Sequence, residues 1–502
     1  MMCEHTSVFR GAVLLALVAG SAAAQEVHND VLKLDERFQT IDHFTAADAW
    51  TLQHLDHWPK DTLEHVADLL FCKDKGIGLS AWRFKIGAGI NEEAISDHRR
   101  TTETFETAPG EYDFSRQRVP QWFLQAAKER GVDEFHAYVY SPPMRLTKNE
   151  RTNMHGLDSA TTNLKPGAEQ CFAEYLADIV EHFHTHPETE RRVSFDWISP
   201  YNEPQWAWER GQEGNRASNT DMARFIPVLA AELDSRGLPT QVLAPESGDI
   251  PSMYELREDA TQRWDADYGD YAAFFIEETG LAEALGNTLA YHSYWSDDAI
   301  IEHREALART MEEYPDWRLF QTEYCVMEWD RDLTMDTALR VAQIIHADLT
   351  VVNAASWGWW LALSPYDYKD GLLYVEDDEQ AATPEDILTP RLLWALGHYS
   401  RFVRPGAERV GLEGAKHDIE GVAGSAYHHA GDGRLTLVYF NQLEDSALLT
   451  VDFPEQAAGL EFTPYVTTDA EGQTHEAQAV VRGIEDFELP ARSMVTFVAE
   501  EL

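Results

Sequence analysis

The sequence predicts an α/β chain: a (β/α)8 TIM barrel with a C-terminal antiparallel β-sandwich side domain. Two observations carry that prediction. From about residue 39 to 400, short β-rich apolar runs alternate with longer segments of helical periodicity, and the alternation occurs eight times. After Pro405-Gly406 the helical periodicity stops, and strand-like runs bounded by Gly, Asp and Pro replace it.

In chain order, the predicted barrel strands are QTIDHF (39–44), LSAWRFKI (79–86), EFHAYVY (134–140), SFDWISPYN (194–202), QVLAPE (241–246), TLAYHSY (288–294), RLFQTE (318–323) and VVNAASWGWW (351–360). Several are continuously apolar rather than alternating, as parallel strands covered on both faces should be. Predicted helices between them include 120–130, 168–184, 220–236 and 337–351, each with apolar residues at helical spacing. The predicted side-domain strands are RLTLVYFNQ (434–442), ALLTVDFP (447–454), LEFTPYVTT (460–468) and SMVTFVAE (493–500). The expected division is a signal peptide (1–24), an N-terminal segment that joins the side domain (25–38), the barrel (39–403) and the sandwich (404–502).

The signal peptide is read from Arg10, the apolar stretch GAVLLALVAG (11–20) and the small residues Ala22-Ala23-Ala24, which together place the mature start at Gln25. No later run approaches 18 apolar residues, so no membrane insertion is expected, and the product should be secreted, extracellular or periplasmic. Export leaves Cys72, Cys171 and Cys325, too few to staple a chain this long; either one pair is bridged or all are buried thiols. Their spacing matches no zinc site, so neither metal nor cofactor is expected.

The chain carries 87 acidic and 40 basic residues, a net charge of −47. Such a surface repels phosphate backbones and anionic lipid, which argues against nucleic acid and membrane partners. Only ten of the basic residues are lysine. Abundant carboxylates with scarce lysine suit a protein that works in salt, where self-repulsion is screened. The alternative is an acidic secreted protein with no such adaptation.

In a barrel, reacting groups come from the C-terminal ends of the strands. Strand four ends Pro200-Tyr201-Asn202-Glu203-Pro204, and strand seven ends Gln321-Thr322-Glu323-Tyr324. Two glutamates at one mouth supply what glycosidic cleavage needs. One carboxyl protonates the leaving oxygen, and the other attacks or stabilises the anomeric carbon. The expected partner is therefore a polysaccharide or oligosaccharide substrate.

SPYNEPQWAWERGQEG (199–214), APESGD (244–249), AYHSYW (290–295), QTEY (321–324) and LGHYSRFVRPGA (396–407) resemble glycoside hydrolase family 30, nearest its endo-β-1,6-galactanase-like branch. The resemblance implies the same barrel and sandwich, a retaining mechanism, Glu203 as acid/base and Glu323 as nucleophile. It places Arg83 beside the nucleophile, where a guanidinium would hold Glu323 ionised. It puts Asn202 against the sugar 2-hydroxyl and Tyr294 in reach of Glu323, with His292 beside it on strand six. Trp206, Trp50, Trp357, Trp359 and Trp360 are candidate sugar platforms, although each is equally suited to fill a core. Two departures concern the substrate loops. Met144-Arg145-Leu146 stands where relatives carry Trp-Met, and IDHFTAADAW (41–50) where a Gly-Phe-Gly pattern is common. The implied substrate is β-1,6-galactan. Xylan, β-1,6-glucan and a fucoside are alternatives, as is a carbohydrate-binding barrel without turnover. Arg145 is a candidate to pair a uronate.

Overall fold

The computed structural model describes residues 26–157, 159, 161–278, 280–414, 419–500 and 502. The signal-peptide reading falls on residues outside this set. Eight parallel strands form the barrel: His43–Ala47, Ala81–Lys85, Glu134–Tyr138, Trp197–Ser199, a fifth in two pieces (Gln241–Val242 and Ala244–Ser247), Thr288–His292, Arg318–Glu323 and Ser356–Ser364. The first piece of strand five pairs with strand four, and the second piece pairs with strand six, which carries the sheet around. The predicted (β/α)8 barrel is thus borne out.

The strand boundaries shift where sequence pattern is weakest. Strand one starts at His43, because residues up to Thr40 belong to a different sheet. Ile41 N donates to the Ala407 carbonyl and Asp42 N to the Ala355 carbonyl at this crossing between domains. Strand eight starts at Ser356, because the helix Met335–Thr350 runs to its doorstep and Asn353 turns the chain with φ of 60°. Strand four is paired only over Trp197–Ser199.

The side domain is one continuous, mostly antiparallel sheet folded over its own core. Glu26–Thr40 lies within it, antiparallel to Glu408–Glu413 and parallel to Ala447–Asp452. That one parallel pairing departs from the wholly antiparallel expectation. Leu32, Leu437, Leu449 and Phe497 share its buried core, which makes it sandwich-like. The helix Arg391–Ser400 ties it to the barrel. Both ring nitrogens of buried His398 bond threonines of the sheet, Thr496 at 2.7 Å and Thr467 at 2.9 Å.

Candidate active site

Strand four ends in a sharp turn. Glu203 has φ of 45°, in a region that costs a non-glycine residue about 1–3 kcal/mol. Backbone contacts hold it there. Glu203 N donates to the Glu246 carbonyl at 2.9 Å, while the Glu203 carbonyl accepts from Trp206 N at 3.1 Å and Trp208 Nε1 at 2.9 Å. The loop returns through Ala217 N to the Pro204 carbonyl at 3.0 Å and enters the helix Asn219–Ser235. A reciprocal Ser218–Asp221 cap closes that helix start, worth about 1 kcal/mol. Gly248 gives the side chain room. A Cβ there would lie 2.3 Å from Trp206 Nε1 and 3.0 Å from Glu203 Cδ.

Glu323 is the last residue of strand seven, so it emerges at the same mouth. Arg83 Nη1 donates to Glu323 Oε2 at 3.1 Å and to the Thr322 carbonyl at 2.9 Å. Tyr294 OH donates to Glu323 Oε1 at 3.0 Å. Arg83 comes from strand two, is 1% exposed, and lies over the Tyr138 ring. Burial works against its charge, but Glu246 and Glu323 outweigh burial and raise its pKa.

Glu246, at the end of strand five, is a third carboxylate behind the other two. It accepts from Ser199, Thr322, Arg83 Nη2 at 3.4 Å and His292 Nε2 at 3.0 Å. Burial pushes its pKa up, but Arg83 and then His292 and Ser199 pull it down to about 2. His292 Nδ1 meets Glu203 Oε1 at 3.0 Å and lies 3.8 Å from Glu323 Oε1. Burial favours the neutral ring, but the three carboxylates outweigh it and raise His292 to about 10. His292 is therefore a buried imidazolium that donates from both nitrogens. Burial is also the main cause that raises Glu203, to about 7; Glu323 adds to the rise and His292 opposes it. The facing donor oxygens of Glu203 and Glu323 lie within 4.8 Å of one another.

A prediction follows from the signs. If Glu203 is the acid that the sequence implies, it must be protonated to act, so kcat/KM falls as pH climbs through its pKa. The positive His292 favours ionised Glu203, and removing it in His292→Asn raises that pKa. The alkaline limb of the kcat/KM profile should move to higher pH. A limb that stays in place or moves down contradicts the assigned role.

A cavity of about 510 Å³ opens over the glutamates. Asn202, Tyr294, Trp50, Trp206 and Trp360 line it, so the structure brings these predicted residues to the site. The remaining predicted residues stand off the cavity wall or are held by other partners. Trp357 is fully buried with Nε1 donating to Asp348, on the helix side of strand eight, and is no sugar platform. Trp359 shares that side and donates to the Asp370 carbonyl. Strand alternation puts Trp360 on the cavity side instead. Arg83 and His292 are not on the cavity wall, so they act on the carboxylates rather than on the sugar. Arg145 is spent in two bonds to Glu106. Cys72, Cys171 and Cys325 are free thiols, with Cys325 buried against the cavity.

Sequence reasoning missed Glu246, although it ends a strand as the other two glutamates do. It also missed Trp208, Trp295, Trp329, Arg100 and Asp370 on the cavity wall. Burial raises Asp370 to about 7. Among the described residues, two clusters have metal-like spacing. In Glu203–His292–Glu323, His292 Nδ1 already faces Glu203 Oε1 at 3.0 Å and its Nε2 faces Glu246 Oε2 at 3.0 Å. In His43–Glu134–His136, at the opposite end of the barrel, one Glu134 oxygen already lies 3.0 Å from His43 Nδ1 and 3.0 Å from His136 Nε2, and takes the Trp197 indole N–H at 3.2 Å.

A family model described as O-glycosyl hydrolase family 30 matches residues 28–374, which include both glutamates. The chain belongs to this family. The family is described as one of O-glycosyl hydrolases. Among curated relatives, an endo-β-1,6-galactanase of Hypocrea rufa is 32% identical over 126 residues, 24% of this chain and 25% of that protein. The chain thus matches about a quarter of that relative's length. A conserved exported protein from Bacteroides fragilis is 27% identical, with a TM-score of 0.82 over 94% of this chain and 100% of that one. The catalytic domain of a family 30 xylanase from Talaromyces cellulolyticus shares the fold at 19% identity, with a TM-score of 0.68 over 94% and 99% of the two chains.

Proposed function

We propose that this family 30 hydrolase is a secreted, retaining endo-glycosidase that cleaves β-1,6-galactan by double displacement. The observation that supports the retaining reading is the close approach of the two carboxyls at their nearest oxygens: one oxygen of each lies within 4.8 Å of the other, and His292 Nδ1 reaches both, at 3.0 Å and 3.8 Å. Retaining enzymes hold the carboxyl groups about 5–5.5 Å apart, whereas inverting enzymes leave roughly 6.5–9.5 Å for a water. In the first step Glu203 gives its proton to the leaving oxygen while Glu323 attacks the anomeric carbon. In the second, ionised Glu203 takes a proton from water, which attacks the same carbon and releases Glu323. His292 and Glu246 sit behind this exchange and fix where the Glu203 proton lies. Arg83 and Tyr294 aim the nucleophile.

The galactan reading rests on the motif NEPQWAWERGQEG (202–214) and on the partial likeness to the Hypocrea rufa galactanase. Charge supports a neutral glycan. A strongly anionic enzyme gains nothing by long-range steering toward an acidic chain, and Arg145 is already paired. The enzyme should release short galacto-oligosaccharides, with retained anomeric configuration in the first product seen by NMR. The test is side-by-side incubation with β-1,6-galactan, glucuronoxylan and β-1,6-glucan. Preference for xylan or glucan sinks the galactan assignment; an inverted product sinks the mechanism.

Secretion is supported by the N-terminal segment and by the exported Bacteroides fragilis relative. Salt adaptation is the proposed reason for the net charge of −47. The Debye length falls from ~30 Å at 0.01 M to ~3 Å at 1 M salt. The melting temperature should therefore rise with NaCl across that range; a flat or falling curve would show that the acidity serves something else.

A further inference from the structure

The two most exposed aromatic side chains among the described residues stand on the cavity wall. Trp329 is 74% exposed and Trp295 is 62% exposed. They come from the loops after strands seven and six, the strands that carry Glu323 and His292. Neither indole is needed to fill a core, and water is a poor neighbour for that much apolar surface.

Trp329 is also held rigidly. Its backbone forms an antiparallel bridge with Tyr368, and the two rings meet edge-on with centroids 5.2 Å apart. Beside it, Lys369 N donates to the Glu328 carbonyl at 3.0 Å. The Glu328 side chain is clamped by Arg340 Nη1 at 2.5 Å and Lys369 Nζ at 2.6 Å. The exposed ring thus sits on a pinned loop, ordered before any ligand arrives. Pre-ordering of this kind lowers the cost of binding.

We infer that Trp329 is a distal sugar platform, which stacks on the apolar C–H face of one further unit of a glycan chain whose neighbouring unit lies over Glu203 and Glu323. The occupant is a carbohydrate because the ring continues the wall of the cavity that holds the two glutamates. A lipid or a hydrophobic protein segment would need a broader apolar face than one pinned indole on a surface this acidic. Trp295 borders the same mouth from the neighbouring loop and extends the apolar wall. The inference rests on the endo-acting reading above, because an endo-acting enzyme binds chain units beyond the cleaved pair.

The test is calorimetric binding of oligosaccharides of increasing length to the Glu323→Gln enzyme, with and without Trp329→Ala. A Trp anchor costs more than about 1 kcal/mol when truncated, and tenfold in Kd corresponds to about 1.4 kcal/mol. Trp329→Ala should weaken the longest oligosaccharide by about tenfold, with less than about a twofold change for the disaccharide. Trp329→Phe keeps a flat ring and should restore most of the loss. The exposed position makes misfolding a poor explanation, and an unchanged melting curve would rule it out. The oligomers are taken from whichever panel polymer the wild-type enzyme cleaves, so a failed galactan assignment leaves this test standing. Equal loss at every length, or none at any length, overturns the platform. If the enzyme cleaves no polymer, the endo reading and the platform fall together.

Discussion

Glu323→Gln loses turnover by about 10⁴-fold or more, on polymer and aryl glycoside alike, as removal of a nucleophile does elsewhere. An amide cannot form the glycosyl ester. Glu246, the third carboxylate of the cluster, is fully buried behind Arg83, His292, Ser199 and Thr322. The substitution keeps size and shape, and Arg83 Nη1 retains the Thr322 carbonyl as a partner. Substrate binding should therefore persist while chemistry stops. Initial rates on both substrate types, with melting curves to show an intact fold, check the prediction. Residual turnover within tenfold of wild type would remove Glu323 from its role.

Glu203→Ala behaves differently by substrate. On natural glycans, whose alkoxide leaves only when protonated, it should cost about 10²–10⁴-fold, the usual worth of acid–base help. On an aryl glycoside with an acidic leaving group the first step needs little protonation and survives. The second step then limits, because no base activates water. Added azide needs no base and attacks the glycosyl-enzyme through the space the carboxyl vacated. It should accelerate Glu203→Ala and yield a glycosyl azide of retained configuration. It should do nothing for Glu323→Gln, which forms no glycosyl-enzyme. Equal loss on both substrate types without azide rescue would contradict the assignment. The contrast should be clear, because Glu203 is bound to His292 and the raised pKa of Glu203 depends on its burial.

The chain pattern made the barrel and its two glutamates legible. A parallel barrel delivers every strand's C-terminal end to one mouth. Asn202-Glu203-Pro204 and Thr322-Glu323-Tyr324 therefore converge although 120 positions separate the glutamates in sequence. The same logic applied to strand five reaches Glu246. That residue was passed over because a carboxylate's role depends on its neighbours, and the neighbours come from strands two, four, six and seven.

Strand eight shows where sequence pattern runs out. Ser-Trp-Gly-Trp-Trp-Leu-Ala-Leu-Ser (356–364) is buried along its whole length. With no polar alternation, nothing local tells which indole faces the helices and which faces the sugar. Packing decided it. Asp348, on the helix Met335–Thr350, takes the Trp357 N–H, and Trp360 turns toward Trp50.

By itself, the sequence determined the architecture and the delivery of Glu203 and Glu323, the proposed reacting pair, to one mouth, because these follow from periodicity and from which residues end which strands. Only the tertiary structure decided what each group does there. It set His292 between Glu203 and Glu246 rather than on the sugar, put Arg83 behind the nucleophile and spent Arg145 on Glu106. It also left Trp329 pinned in the open. The reason is physical. Protonation, aim and exposure are set by contacts between residues far apart in the chain, over distances of a few ångströms that no local pattern encodes.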